Sequence, residues 1–152
     1  DVAADFVLGP ATHQDRDAIA AIWHESAGLP TVGPATMPSP AQLRARVDVE
    51  MDNSWEVTIA EQRGTVVGFL AIKRDEAVLA ELFLRPQAIG QGIGSQLLAR
   101  AKSLMPTGFT LFTRATNVRA RRFYEKAGLT VLRTEPHPRD GDLIVFYGWS
   151  PG

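Results

Sequence analysis

Residues 77–95, AVLAELFLRPQAIGQGIGS, carry the reading on which the fold turns. An apolar strand-like run, Ala77 to Leu84, passes through Arg85-Pro86 into a glycine-rich bend. Helical spacing follows over Ser95 to Met105, with Ile93, Leu97, Ala101 and Leu104 on one face before Pro106 ends it. Alternate glycines between a strand and a helix expose successive backbone N–H groups at a helix start, which makes an anion cradle. The same glycines would also serve a tight strand-to-helix connection and nothing more. Two familiar phosphate loops do not fit. No lysine follows any glycine, which removes the P-loop. The dinucleotide fingerprint needs a third glycine where Leu97 stands, and it needs a parallel unit before it.

The sequence before this stretch reads as a meander. Trp55 to Glu61 and Thr65 to Lys73 are joined by Arg63-Gly64, and Asp75-Glu76 turns into Ala77 to Leu84, giving three consecutive antiparallel strands. Before them lies an amphipathic helix over Asp15 to Ala27, with Ile19, Ile22, Trp23 and Ser26 in phase. A Pro-rich loop from Leu29 to Pro40 follows; loops of this kind serve as lids or substrate walls as well as plain excursions. Ser39-Pro40 then opens a second helix as N-cap and N1, running through about Glu50. A first strand is expected at Phe6 to Leu8. After the glycine loop come a strand at Phe109 to Ala115, a helix at Asn117 to Ala127 closed by Gly128, and strands at Thr130 to Arg133 and Leu143 to Trp149 around a polar turn. The expected order is β-α-α-β-β-β-α-β-α-β-β, an α/β fold with a mixed, mostly antiparallel sheet flanked by helices.

Composition narrows the function classes. The 152 residues suit one domain spanning 1–152, and 45% hydrophobic with 22% charged is a globular balance. Sixteen basic against seventeen acidic residues leave a formal charge of −1, which argues against nucleic acid or an anionic membrane as a whole-domain partner. The absence of cysteine excludes a disulfide scaffold, a thiolate zinc site and a cysteine nucleophile. His13, His24 and His137 have no partner at metal-ligand spacing, so no metal is expected. No apolar run approaches the roughly 18–20 residues of a membrane helix. The opening DVAADF has neither a basic n-region nor an apolar h-region, so no secretory signal is expected and a cytoplasmic location is the default.

A second constellation lies at Asn117 to Leu129, NVRARRFYEKAGL. Asn117 caps the helix, and Ala120 and Tyr124 follow at i+3 and i+7 on the same face, with Phe123 beside them. A small residue at 120 leaves room for something to lie along the helix. An ordinary amphipathic helix with an aromatic anchor fits the same letters.

Together these strings resemble the GNAT N-acetyltransferase superfamily. Ile89-Gly90-Gln91-Gly92-Ile93-Gly94 is similar to its acetyl-CoA loop, Arg/Gln-x-x-Gly-x-Gly/Ala, with Ile89 where the family usually has Arg or Gln. A second register, Gln87-x-x-Gly90-x-Gly92, fits the letters but starts the loop two residues early. Asn117 to Leu129 is similar to the fourth-helix signature Asn-x-x-Ala-x-x-Phe-Tyr-x-x-x-Gly-Phe, with Leu129 for the final Phe. The resemblance implies an acyl-CoA N-acyltransferase fold, acetyl-CoA as cosubstrate and a primary amine as acceptor. It places the cofactor against the backbone of Leu82, Phe83 and Leu84 and against the loop Ile89, Gly90, Gln91, Gly92, Ile93, Gly94 and Ser95. It adds Asn117, Ala120, Phe123 and Tyr124 from the helix, and it leaves monomer and homodimer both open.

Acyl transfer to an amine needs a base for the ammonium proton and a proton for the leaving thiolate. Glu81 is the candidate base, since it is the one charged residue in Ala77 to Leu84; a carboxylate paired to a neighbouring strand is its alternative. The resemblance makes Tyr124 the candidate acid. Arg119, Arg121 and Arg122 offer either phosphate contacts or a solvated face with an Arg121–Glu125 pair. The competing function is a non-catalytic acyl-CoA-binding or sensor module of the same fold.

Overall fold

A computed structural model describes residues 5–152. Residues 1–4, most of the stretch read above for a secretory signal, lie outside the described residues. In chain order the elements are β1 (Val7–Pro10), α1 (Arg16–Ala27), α2 (Pro40–Asn53), β2 (Glu56–Gln62), β3 (Thr65–Lys73) and β4 (Val78–Leu84). Then come α3 (Ile93–Leu104), β5 (Phe109–Arg114), α4 (Val118–Lys126), β6 (Thr130–Pro136) and β7 (Leu143–Trp149). This is the expected order. Four elements differ from it by two residues or more at a boundary. The first strand is shifted to Val7–Pro10, where it pairs with Glu61 through Thr58 of β2. α2 runs on to Asn53, and β6 runs on to Pro136 because its ladder with β7 continues to Leu143. α3 starts at Ile93, two residues before the expected Ser95. Gly90 and Gly92 take positive φ and form the bend, whereas Gly94 is already helical.

Local chemistry explains the element ends. Arg63 and Gly64 both sit at positive φ, 53° and 79°, the pair of left-handed residues that a two-residue hairpin turn requires. Ser39 and Gln42 form a reciprocal capping box at the start of α2. The Gln42 N–H donates to Ser39 Oγ at 3.1 Å, and the Ser39 N–H donates to Gln42 Oε1 at 2.8 Å. Pro40 occupies N1, where its missing N–H costs nothing.

The seven strands form one sheet in the order β1-β2-β3-β4-β5-β7-β6, antiparallel except between β4 and β5. Helices cover both faces. On one, Ile19, Ile22, Leu43 and Val47 of α1 and α2 pack on Phe69 and Ala71 of β3. On the other, Ile93, Leu97 and Tyr124 of α3 and α4 pack on Leu70, Ile72 and Tyr147. Fully burying each such large aliphatic is worth about 1.5–3 kcal/mol. α1 is also clipped to α2 by the buried Arg16, which reaches Asp48 at 2.9 Å and Asp52 at 2.8 Å.

β4 and β5 share one register pair, Val78 with Thr110, and then diverge. A parallel pair held only at its start leaves a wedge in the middle of the sheet. Among the described residues no helix is long and apolar enough to cross a membrane.

Candidate active site

A break in the β3–β4 ladder fixes the direction of Glu81. Leu79 lies opposite Ile72 and Glu81 opposite Ala71, so Ala80 is an extra residue on β4. Strict alternation would have put Glu81 on the same face as Leu79, in the core beneath α3. The bulge shifts the phase, and Glu81 instead shares the face of Ala71, beneath α1 and α2. Beyond the bulge regular alternation resumes. The Arg85 N–H donates to Val67 on the β3 side at 2.8 Å, so Leu84 and Leu82 turn their backbone groups toward the wedge. Ser26 Oγ donates to the Leu84 carbonyl from that side at 2.7 Å.

The wedge opens into a cleft of about 430 Å³. Its floor includes Glu81, Leu82 and Phe83 of β4 and Leu111 to Arg114 of β5. The first turns of α4 supply Asn117, Ala120 and Tyr124. The Pro-rich loop forms one wall through Val32, Pro34, Met37 and Pro38, and the β6–β7 turn forms another through His137, Arg139 and Asp140. The loop is tied down where Thr116 Oγ1 donates to the Thr31 carbonyl at 3.0 Å. Of the two roles a Pro-rich excursion has, the structure gives it that of a cleft wall.

Two titratable groups of the cleft, Glu81 and Tyr124, are perturbed toward their protonated forms. Burial pushes the Glu81 carboxyl up to about 8; the Arg46 charge pulls against this, the Glu50 carboxylate adds to it, and Lys73 pulls slightly down. Burial likewise pushes the Tyr124 hydroxyl well above its usual value, and the negative charge of Glu81 adds to the shift. A carboxyl poised near neutrality can accept a proton, and a phenol held protonated can donate a hydrogen bond to a forming anion.

Asn117 Oδ1 accepts from the Ala120 N–H at 3.2 Å, so the N-cap is made as its residue type requires. The Tyr124 ring is anchored between Phe123 and Tyr147, with centroids 5.2 and 6.0 Å away. Arg121 and Glu125 form the i,i+4 pair at 3.9 Å, and both also hold the Tyr147 hydroxyl: Arg121 Nε donates to it at 3.2 Å, and it donates to Glu125 at 2.6 Å. Tyr147 is therefore core packing, and Trp149 stacks on Phe109 at 5.5 Å.

The glycine bend stands beside this cleft rather than in its lining. Gly90 and Gly92 have φ of 90° and 86°, and a β-carbon on either would meet nothing within 4 Å, so their surroundings are open. The first helical bond of α3 runs from the Gln96 N–H to Gly92, which leaves the N–H groups of Ile93, Gly94 and Ser95 at the helix start. A β-carbon at Gly94 would sit 3.5 Å from the Phe123 ring and 3.7 Å from Leu84, so this helix start abuts α4 and the end of β4.

These features meet in a known family. The acetyltransferase (GNAT) domain matches residues 53–130, just over half of the chain. The chain belongs to the GNAT acetyltransferase family. Solved structures agree on the GNAT fold. A GCN5-related N-acetyltransferase from Rhodopseudomonas palustris superposes with a TM-score of 0.78 at 20% identity, covering 99% of this chain and 98% of that one. An acetyltransferase from Thermus thermophilus gives 0.77 at 18% identity over 97% and 98%. The protein yncA of Salmonella typhimurium, solved with its cofactor acetyl-CoA, gives 0.73 at 16% identity over 97% and 94%. No curated protein matches the chain by sequence.

Within this GNAT chain the residues singled out from sequence fall into two groups. Glu81, Leu82, Phe83, Asn117, Ala120 and Tyr124 converge on the cleft. Leu84, Phe123 and the bend lie alongside it; Ile93 is fully buried, so it offers a ligand only its backbone, and the Gln91 side chain is engaged with Gln62 at 2.7 Å. Ile89 is partly exposed at the end of the Pro86–Ala88 turn. Arg85, whose Nε donates to the Val66 carbonyl at 3.0 Å, is committed to the sheet. His24 is not part of the cleft, whereas Met37 is. Sequence reasoning missed Arg46 and the Arg114 cluster with Asp140 and Asp142. The position of Arg46 three residues after Leu43 and one before Val47 was the available signal, since both neighbours are core residues of α2.

Proposed function

We propose that the chain moves the acetyl group of acetyl-CoA to a primary amine, with Glu81 as the base and Tyr124 as the hydrogen-bond donor to the leaving sulfur. The observation that carries this reading is that Glu81 of β4 and Tyr124 of α4 line one cleft at the mouth of the β4–β5 wedge. The residues present fit the cofactor. The open bend at Gly90 and Gly92 and the free N–H groups of α3 suit its pyrophosphate, the wedge-facing amides of Leu82 and Leu84 suit its pantetheine arm, and Ala120 leaves that path clear. Bound there, acetyl-CoA supplies an activated thioester.

The chain's own groups do the rest. Glu81, as carboxylate, takes the proton from the amine nitrogen, directly or through one water, and later passes it to solvent. Tyr124 keeps its proton at neutral pH and directs it at the sulfur as the carbon–sulfur bond breaks and the carbon–nitrogen bond forms, and the second proton shed by the acylated nitrogen restores the phenol. The wedge-facing amides donate to the carbonyl oxygen as charge builds there. The products are the N-acetylated acceptor and free CoA thiol.

Thiol release from acetyl-CoA with and without amines, beside calorimetric titration of acetyl-CoA, tests this. Amine-dependent release supports an enzyme. Tight binding with no release for any amine would support the acyl-CoA-binding or sensor module instead.

A further inference from the structure

The acceptor side of the cleft carries an uneven set of charges. Its lining holds three guanidinium groups, Arg46, Arg114 and Arg139, against two carboxyls, Glu81 and Asp140. Arg114 and Asp140 neutralise each other through paired contacts at 2.9 and 3.2 Å, and Asp142 adds a third at 3.1 Å. Glu81 is held toward its neutral form. Among the described residues neither the Arg46 nor the Arg139 guanidinium forms an ion pair or a hydrogen bond; Arg139 only donates its backbone N–H to His137 Nδ1 at 3.1 Å. A chain of formal charge −1 therefore presents a locally positive cleft.

Arg46 is the better placed of the two. Its Cζ lies 4.9 Å from the centroid of the Trp23 ring, which is itself packed on Trp55 at 5.3 Å. This cation–π contact restrains the guanidinium, and its N–H groups have no hydrogen-bond partner among the described residues, an arrangement that suits bidentate capture of a carboxylate. Arg46 and Glu81 line the same cleft, so both groups border one volume. Trp23, Met37, Phe83 and Phe112 make the rest of that volume apolar.

We propose that the acceptor is a small amine that carries a carboxylate and an apolar side chain, with Arg46 gripping the carboxylate while the amine meets Glu81. This assignment rests on the acetyl-transfer reading above. Opposite Glu81 an acceptor must present the nitrogen that gives up its proton, and opposite Arg46 it must present an anion, so the amine and the carboxylate of an amino-acid-like molecule match the two ends of the site.

The test compares phenylalanine with phenethylamine, the same amine without its carboxylate, by thiol release in the wild-type chain and in Arg46→Met. Methionine keeps the apolar contact with Trp23 and removes the charge. In the wild type, kcat/KM should favour phenylalanine at least 10-fold, and in Arg46→Met that ratio should fall toward one, chiefly through KM. Arg46→Lys, with the charge but not the fork, should give a ratio between the two. A wild-type preference for phenethylamine, or a ratio unchanged by Arg46→Met, would overturn the proposal. Binding of N-acetylphenylalanine in the presence of CoA, followed by calorimetry, keeps the test independent of turnover. Binding that Arg46→Met weakens, without any turnover, upholds the carboxylate site and fails the catalytic reading; no binding in the wild type fails the site.

Discussion

Glu81 lies opposite Ala71 across the β3–β4 ladder, one residue out of step with the pairing of Leu79 and Ile72. That offset rotates the only carboxylate of β4 away from the α3 core and into the cleft, close to Tyr124. Burial of the carboxyl, which raises its proton affinity, and its placement at the wedge follow from the same bulge.

The first consequence is a pH–rate profile set by Glu81. With its carboxyl at about 8, kcat/KM of the wild type should climb through that pH as the base form appears. Glu81→Gln should lower kcat/KM by roughly 10²-fold near that pH, where the wild-type base form is populated, and lose the Glu81 limb, recovering only where the amine deprotonates unaided. A profile of unchanged shape in the variant would assign the base elsewhere.

Stability should respond in the opposite sense. The unfolded Glu81 carboxyl ionises near 4.5 and the folded one near 8, so between those values the folded chain retains a proton that the unfolded chain has lost. Stability from this group is therefore lost as pH rises through that window. The Tm of Glu81→Gln relative to wild type should increase between about pH 5 and about pH 9, measured by thermal melts of both chains.

Tyr124→Phe removes a hydroxyl and keeps the ring contacts with Phe123 and Tyr147. Acetyl-CoA affinity should change little while kcat drops by roughly 10²-fold. Full turnover at every pH would make the hydroxyl structural.

The bend should separate strain from contact. Gly92→Ala forces a side chain onto φ of 86°, at a cost of about 1–2 kcal/mol, and should weaken acetyl-CoA binding in calorimetric titration. Gly94→Ala meets only ordinary contacts at 3.5 Å and should bind nearer to wild type.

Ile89 offers a gain. An arginine at this partly exposed position should tighten acetyl-CoA binding by about 0.5–1.5 kcal/mol through one charge-assisted contact. Arg85, committed to the Val66 carbonyl, does not compete for that role. Equal or weaker affinity of Ile89→Arg in the same titration would show that the contact is already made by another group.

The order of elements was determined by the sequence alone, because hydrophobic period, caps and turn residues are local properties. Ser39-Pro40, Arg63-Gly64, Asn117 and Gly128 each act within a few residues, and each does in the structure what its chemistry demands. The motif residues of β4, the bend and α4 were legible for the same reason. The two ends of the cleft were decided only by the tertiary structure. Strand alternation predicts that Glu81 shares a face with Leu79, and only pairing with β3, which leaves Ala80 as an extra residue, turns it to the other side. Arg46 reads as one more polar residue on an amphipathic helix until α2 docks on α1 and lays it over Trp23. Arg114 looks free until the β6–β7 turn brings Asp140 to it, 26 residues along the chain. Register and docking depend on partners distant in sequence, so the direction of a side chain and the balance of charge around it become fixed only when those partners meet.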